Sequence, residues 1–383
     1  MSQPAGLHGT SLFSGSELAG RLAKLRRKIA EHGLDAYVVR DDVDIRYLTG
    51  VDYYSSTRKV LLIVPAEAPP SLVVPRMEFE RLSRAETVSD IHAYWEMDAR
   101  AGRGWAERFG EALGDATNVG VPPRMEFDVV EAMADRQVTA LPLVDDIRVI
   151  KSPAELELIR CAARYADGAM RRMLAAPVLS ASVGDIAARG AVVLGEMARE
   201  HPGASFANSY AYMLLQAGAG GASPHYHSSP DTVVEDGPLV LNACTALWRY
   251  TAECERTVLV GRGGADARAA LALVNEAHEL ALSLIAPGAA CAEVDLRIQH
   301  FFEEHGVAQH MRHRTGHGFG LEGHERPYTS EGSPERYAAG MAISVEPGLY
   351  IPGLGGFRHS DTLIIHEDRV ECVTTWPRGT HVD

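Results

Sequence analysis

The residues able to do chemistry gather in four stretches of the second half of the sequence. His225-Tyr-His227 follows a glycine-rich run, Gly218-Ala-Gly-Gly-Ala222. Glycines without a strand before them and a helix after them make a poor phosphate cradle, so this run reads as a turn. Tyr250-Thr-Ala-Glu-Cys-Glu-Arg-Thr257 leads into the apolar Val258-Leu-Val260. In a strand alternate side chains share a face, which sets Glu253 and Glu255 on one side and Arg256 on the other. Two carboxylates on one face repel unless something positive lies between them. A solvated edge strand, or Arg256 neutralising a neighbour, is the plainer reading of this segment alone. Thr315-Gly-His-Gly-Phe-Gly-Leu-Glu-Gly-His-Glu-Arg-Pro327 alternates glycine with His317, Phe319 and Leu321 before reaching His324. Small volume and a free backbone suit a cavity wall where a ligand approaches the main chain closely. Ser344-Val-Glu-Pro-Gly348 sets Glu346 between apolar runs. A carboxylate there needs an arginine or a cationic ligand.

The elements that must position these groups follow from periodicity. Up to Val149 helical and strand-like segments alternate, as in a small α/β domain. A basic amphipathic stretch, Glu17 to His32, precedes strand-like runs at 35–39, 59–64, 71–75 and 118–121, with helical patterns at 99–113 and 128–136. Near residue 150 the texture breaks. Ser152 can cap a helix with Pro153 in its first position and Glu155 closing a capping box, and apolar spacing then runs to about Leu174. A second helix is expected over 182–201, strands over 238–243, 252–260, 341–350 and 361–366, and two more helices over 266–285 and 292–305. This half reads as α+β, a curved antiparallel sheet flanked by helices.

Composition narrows the function. The chain has 383 residues, of which 46% are hydrophobic and 23% charged, enough for two ordinary domains with a large core. A net charge of −14 without any basic run argues against nucleic acid and anionic membranes as partners. Nothing near the N-terminus resembles a signal peptide and no segment is long and apolar enough to span a bilayer, so a cytoplasmic protein is expected. The 5 cysteines are scattered with no Cys-x-x-Cys pair, which points to free thiols instead of disulfides or a zinc ribbon.

In their order and spacing, Lys151-Ser-Pro-Ala-Glu155, the Gly-His-Gly-Phe-Gly loop, Met341-Ala-Ile-Ser-Val-Glu-Pro-Gly348 and Gly356-Phe-Arg-His-Ser-Asp361 resemble the creatinase/methionine-aminopeptidase/proline-dipeptidase family, over residues 17–365 or so. The resemblance implies an α+β protein. Residues 1–150 would form a small N-terminal α/β domain of the creatinase type, contributing to the partner subunit's site. Residues 151–383 would form the C-terminal pita-bread catalytic domain. Peptidases of the family hold two metal ions with two aspartates, a histidine and two glutamates. Those positions here carry Asn242, Glu253, His317, Glu346 and Ser360. Two ions need anionic oxygens to offset four positive charges, and Asn242 and Ser360 remove two of the four carboxylates.

Creatinase is the metal-free branch of the family, and Asn242, Tyr250, Glu255-Arg-Thr257 and the spacing from His225 to Asn242 are similar to its pattern. Arg58, in Tyr54-Ser-Ser-Thr-Arg58, stands where creatinase places an arginine in the neighbouring subunit's site. Ser56, Tyr328 and Ser360 replace a stacking phenylalanine, a substrate-binding arginine and a second histidine. The expectation is a metal-independent, cofactor-free hydrolase that cleaves a C–N bond in a small guanidino, amidine or amide substrate bearing a carboxylate. In that reading His225, Glu255 and Glu346 are catalytic, with His225 acting first as general base and then as general acid. Arg58 of the partner subunit grips the carboxylate, while Asn242, Glu253, His317, His324 and Tyr328 bind substrate. A homodimer sharing its sites is implied. Two alternatives stay open. Glu253, His317 and Glu346 could hold one ion in a mononuclear Xaa-Pro dipeptidase or aminopeptidase, since three ligands and an open position suffice. A catalytically silent binding protein on the same fold is the other.

Overall fold

Ser14 accepts a hydrogen bond from the Glu17 N–H at 3.2 Å and starts the helix Gly15–Glu31, whose Leu18, Leu22, Leu25 and Ile29 recur at helical spacing and are all buried. The structure, a computed structural model, describes residues 12–53, 57–97, 99–204, 206–378 and 381–382. It separates into two compact units, Met1–Arg148 and Val149–Asp383.

The first unit is a mixed sheet of six strands: β1 (Ala36–Val39), β2 (Leu61–Pro65), β3 (Ser71–Pro75), β4 (Asp90–Tyr94), β5 (Asn118–Val121) and β6 (Gln137–Ala140), in the order β4-β3-β2-β1-β5-β6. β1 runs antiparallel to β2 and parallel to β5. Val38, Ile63, Val73 and Val119 pack with Phe109, Leu113, Val129 and Met133 into its core. The helix Asp42–Thr49 and strand β6 had no clear periodic signal in the sequence.

The second unit opens with the helix Pro153–Met173, where Ser152 and Glu155 form the expected capping box. β7 (Tyr210–Ala217), β8 (Gly237–Leu247) and β9 (Tyr250–Val260) make an antiparallel sheet. The second sheet joins β10 (Gly316–Gly318), β11 (Glu325–Thr329), β12 (Ala342–Val345), β15 (Asp361–Ile365) and β16 (Val370–Cys372), while β13 (Gly348–Ile351) and β14 (Gly355–Arg358) pair as a ribbon. The helices Ala265–Leu284 and Cys291–Glu304 cover these strands, burying Val274, Ala277, Ile298 and Phe302 against Ile343, Val345 and Leu363. The strand expected over 341–350 is interrupted at Glu346-Pro347, and the helix expected over 182–201 divides at Val192. Among the described residues no helix is long and apolar enough to cross a membrane, and all five cysteines are free.

Candidate metal centre

β8 and β9 form the floor of the site. Their register sets Asn242 opposite Glu255 and Cys244 opposite Glu253, so Asn242, Glu253 and Glu255 share one face. Arg256 turns to the other face, where its Nη2 donates to Asp361 Oδ1 at 2.6 Å; it neutralises Asp361 and leaves the glutamates alone. The two sheets meet at Glu255 and Ser360, whose N–H groups each donate to the other's carbonyl at 3.0 Å. β10 contributes His317, whose N–H donates to Ser344 Oγ at 2.9 Å. The chain leaving β12 delivers Glu346, whose N–H donates to the Thr315 carbonyl at 2.7 Å. Side-chain ligand atoms of Glu253, His317 and Glu346 thereby lie within 4.8 Å of one another.

The glycines of this loop serve strand contact. A Cβ on Gly316 would strike the Ser344 carbonyl, and one on Gly318 would strike the Arg326 carbonyl. These two glycines therefore allow a close approach between neighbouring backbones.

The cluster is short of positive charge. His317 gives its Nδ1–H to the Gly318 carbonyl at 3.1 Å, and its Nε2 lies 3.2 Å from Glu346 Oε1. Burial works against the charged ring but Glu346 raises it above its ordinary value, so Nε2 takes up either a proton shared with Glu346 or, in its place, an ion. Neither His317 Nε2 nor Glu253 Oε1 has a well-aligned hydrogen-bond partner, although both are buried. Two carboxylates and an imidazole nitrogen converging on one point need positive charge between them, and these three groups are suitable ligands for one divalent ion. Burial, followed by the charge of Glu346, raises the Glu253 carboxyl above the usual carboxylate range. Burial works against ionised Glu346 as well, but His317 holds that carboxyl well below the usual range.

Beside this triad, Arg358 supplies the positive group that two acids on one strand face require. Its Nη2 donates to Glu255 Oε1 at 2.6 Å and its Nε faces Glu255 Oε2. Its Nη1 donates to the Tyr350 hydroxyl at 2.7 Å, and that hydroxyl lies 2.7 Å from His313 Nε2. Asn242 turns its amide nitrogen to Glu255 Oε1 and, at 3.4 Å, to Glu253 Oε2. The nitrogen so directed donates to the acids, while the Asn242 carbonyl oxygen, buried without a hydrogen-bond partner, is neutral and lends a second ion no charge.

The structure thus brings together Asn242, Glu253, Glu255, His317 and Glu346. His324 stacks on the His317 ring with centroids 4.0 Å apart, and Tyr328 lies opposite His317 in the register of β10 and β11. Desolvation of its stacked side, then the charge of His317, hold His324 down to about 4, with Arg314 and His225 adding to the effect. His225 itself is exposed, on the segment after the 3-10 turn Gly218–Ala222. Arg58 belongs to the first unit and is ion-paired with Glu96; Ser56 lies outside the described residues. Arg358, Tyr350, His313 and Arg314 escaped the sequence reading. Arg358 lies in Gly356-Phe-Arg-His-Ser-Asp361, but its partner Glu255 is 103 positions away and nothing local announces the pairing.

Residues 157–367 match the model of metallopeptidase family M24, and residues 21–150 match that of the creatinase/prolidase N-terminal domain. The chain is 28% identical over 374 residues to the probable dipeptidase PepE of Mycobacterium tuberculosis, covering 96% of this chain and 97% of that protein. It is 27% identical to the Xaa-Pro dipeptidase of Pyrococcus furiosus, covering 94% and 98%. The crystal structure of dipeptidase PepE from Mycobacterium ulcerans superposes with a TM-score of 0.84 at 27% identity, over 97% of this chain and 99% of that one. The prolidase from Pyrococcus horikoshii, at 23% identity and a TM-score of 0.82 over 94% and 99%, shares the fold. These findings overturn the expectation of a metal-independent, creatinase-like amidinohydrolase. The relatives are named as dipeptidases, the matching family is one of metallopeptidases, and Glu253, His317 and Glu346 converge as ligands would. The physical reason is that losing Asn242 and Ser360 as anions weakens a two-ion site, yet leaves a complete set for one ion. The chain belongs to metallopeptidase family M24, the creatinase/prolidase group of pita-bread proteins, with the creatinase-type domain preceding the M24 domain.

Proposed function

We propose that this protein is a metal-dependent peptidase of dipeptides, of the Xaa-Pro dipeptidase kind that its relatives' names describe, working with a single divalent ion on Glu253, His317 and Glu346. The observation that carries the reading is the convergence of those three ligand atoms within 4.8 Å, with His317 Nδ1 engaged by the Gly318 carbonyl so that Nε2 is the nitrogen facing the meeting point. Charge favours one ion over two. Burial raises Glu253 and, to about 8, Glu255. With an ion bound and all three carboxyls ionised, Glu253, Glu255 and Glu346 bring three negative charges, Arg358 returns one positive charge, and His317 is neutral as a ligand. One divalent ion balances the remainder, whereas a second would leave the pocket positive with no anionic oxygen from Asn242 or Ser360 to hold it.

When bound, the ion supplies Lewis-acid polarisation of a scissile carbonyl. The protein does the rest. Phe319 packs edge-on against His317, with ring centroids 4.8 Å apart, and keeps water from that side of the ligand. His324, held down to about 4, is neutral near pH 7, so one ring nitrogen donates and the other accepts toward the substrate without adding charge. Arg358 and Asn242 fix Glu255, and through Tyr350 the same guanidinium steadies His313.

The test is direct. Protein stripped with a chelator and then given Mn²⁺, Co²⁺, Zn²⁺ or Mg²⁺ separately should hydrolyse Xaa-Pro dipeptides only after an ion is restored, and elemental analysis should find one ion per chain. Undiminished turnover by the stripped protein would sink the proposal.

A further inference from the structure

The three groups of the triad come from two sheets, and the seam between those sheets is held in an unusual way. Among the described residues β9 and the chain running from β14 into β15 exchange main-chain hydrogen bonds at one place, between Glu255 and Ser360. In a regular antiparallel ladder the next bonded pairs would fall two residues away on either side, Glu253 with Thr362 and Thr257 with Arg358. Both places are taken by a side chain instead. Thr362 Oγ1 accepts from the Glu253 N–H at 2.9 Å and donates to the Glu253 carbonyl at 2.9 Å. Thr257 Oγ1 accepts from the Arg358 N–H at 2.8 Å and donates to the Arg358 carbonyl at 2.9 Å. A hydroxyl both donates and accepts, so one buried threonine satisfies both main-chain groups of the residue it faces.

Thr362 also faces the other sheet. It lies opposite Ser344 in the register of β12 and β15, and Ser344 Oγ accepts from the His317 N–H at 2.9 Å. Two hydroxyls thereby tie the main chain of Glu253 to that of His317, and Glu346 follows Ser344 by two residues. Thr362 is held in turn, because its N–H donates to Thr374 Oγ1 at 3.1 Å and Thr374 Oγ1 donates to Asp361 Oδ1 at 2.8 Å.

We infer that Thr362 is a positioning residue for the ion: its hydroxyl sets the main chain of Glu253 and so fixes where that carboxylate stands against His317 and Glu346. The inference rests on the ion reading of the triad given above. A valine of the same shape would leave the Glu253 N–H and carbonyl buried without partners, and the strand would shift to relieve them.

Calorimetric titration with Mn²⁺ reads this position with no substrate present. Thr362→Val should bind the ion about 10–100-fold more weakly than the natural protein, the loss expected when the outer partner of a ligand is removed. Thr362→Ser restores the oxygen and should recover most of the affinity. Thr245→Val is the control. Its hydroxyl is also buried and donates to the Ala162 carbonyl at 2.7 Å, on the face of β8 away from the site, so its loss should lower the urea midpoint and leave Mn²⁺ affinity unaltered. Natural affinity in Thr362→Val overturns the inference and leaves the ion reading standing. An equal loss of affinity in Thr245→Val overturns it as well, since general destabilisation would then be the cause. Should Thr362→Val fail to fold, Thr374→Val takes its place by freeing the Thr362 N–H; a several-fold weaker Mn²⁺ affinity supports the inference and an unchanged one overturns it. If the natural protein takes up no ion at all, the ion reading itself fails and the inference falls with it.

Discussion

At the scale of single residues, the proton on His317 decides what the triad can hold. With Nδ1–H given to the Gly318 carbonyl, Nε2 faces Glu346 Oε1 and holds either a proton, which Glu346 favours, or an ion in its place. Glu346→Gln substitutes an amide for one of the two anionic ligands. It should weaken binding of Mn²⁺ by more than the roughly 10–100-fold that losing an outer-sphere partner costs, read by calorimetric titration. Arg358 makes a different prediction. Its guanidinium and Glu255 are both buried, so Arg358→Met strands a carboxylate and should cost about 3–5 kcal/mol in urea unfolding. Arg358→Met combined with Glu255→Met should recover most of that loss, because two apolar side chains of similar length leave no charge unpaired. Equal stability of the single and the double variant would mean that the pair carries no such burden. The contrast between these two arginines also marks the reach of sequence reasoning. Strand alternation placed Glu253 and Glu255 on one face and Arg256 on the other, and all three lie so. The identity of the neutralising group could not be read, because Arg358 comes from β14 and no periodicity links it to β9.

At the scale of elements, the sheet in front of the floor depends on where its strands stop and how closely they approach. Apolar residues flank Glu346-Pro347 on both sides in 341–350, and the sequence leads to a single strand there. The break falls where Glu346 N–H leaves the ladder to donate to the Thr315 carbonyl and Pro347 has no N–H to give. The interruption aims the Glu346 side chain at His317. Strand length was thus legible and the functional kink was not, since it depends on a contact with a residue 31 places earlier. β10 approaches β12 closely enough that a Cβ on Gly316 meets the Ser344 carbonyl. Gly316→Ala should therefore cost about 1–3 kcal/mol and displace His317, lowering Mn²⁺ affinity together with stability. Behind β12, the helix Ala265–Leu284 is pinned by His278, whose Nε2 lies 3.1 Å from the Val345 carbonyl. Burial holds that ring down to about 4 against its ordinary 6.5, so it stays neutral in the folded chain. Between those values the unfolded chain binds the extra proton, and stability falls as pH drops through the window and is untouched above it. The loss between pH 7 and pH 5 should be about 2 kcal/mol from this group. Urea midpoints at the two pH values in the natural protein and in His278→Gln measure it; an identical pH response in both would assign the acid sensitivity elsewhere.

At the scale of the whole molecule, the two-part architecture was readable because its signals are local: a capping box at Ser152, Pro153 in the first turn, and a change from alternating helix and strand to longer antiparallel strands. Asn242 and Ser360 do lack the anions of a two-ion site, but the sequence could not show that the remaining three groups close to within 4.8 Å. Those ligands all belong to Val149–Asp383, and none to Met1–Arg148. An ion that binds only the folded form adds about 2.7 kcal/mol when its free concentration is a hundred times its Kd. For a unit of this size each kcal/mol shifts the midpoint by about 2–4 °C, so Mn²⁺ should raise the melting of the second unit by about 5–10 °C. Because the first unit contributes no ligand, its part of the calorimetric trace should not move. Glu346→Gln removes the stabilisation at its source, and its trace should be the same with and without Mn²⁺. A shift of equal size in that variant would place the ion outside the triad, and with it the case for a single catalytic cation between Glu253, His317 and Glu346.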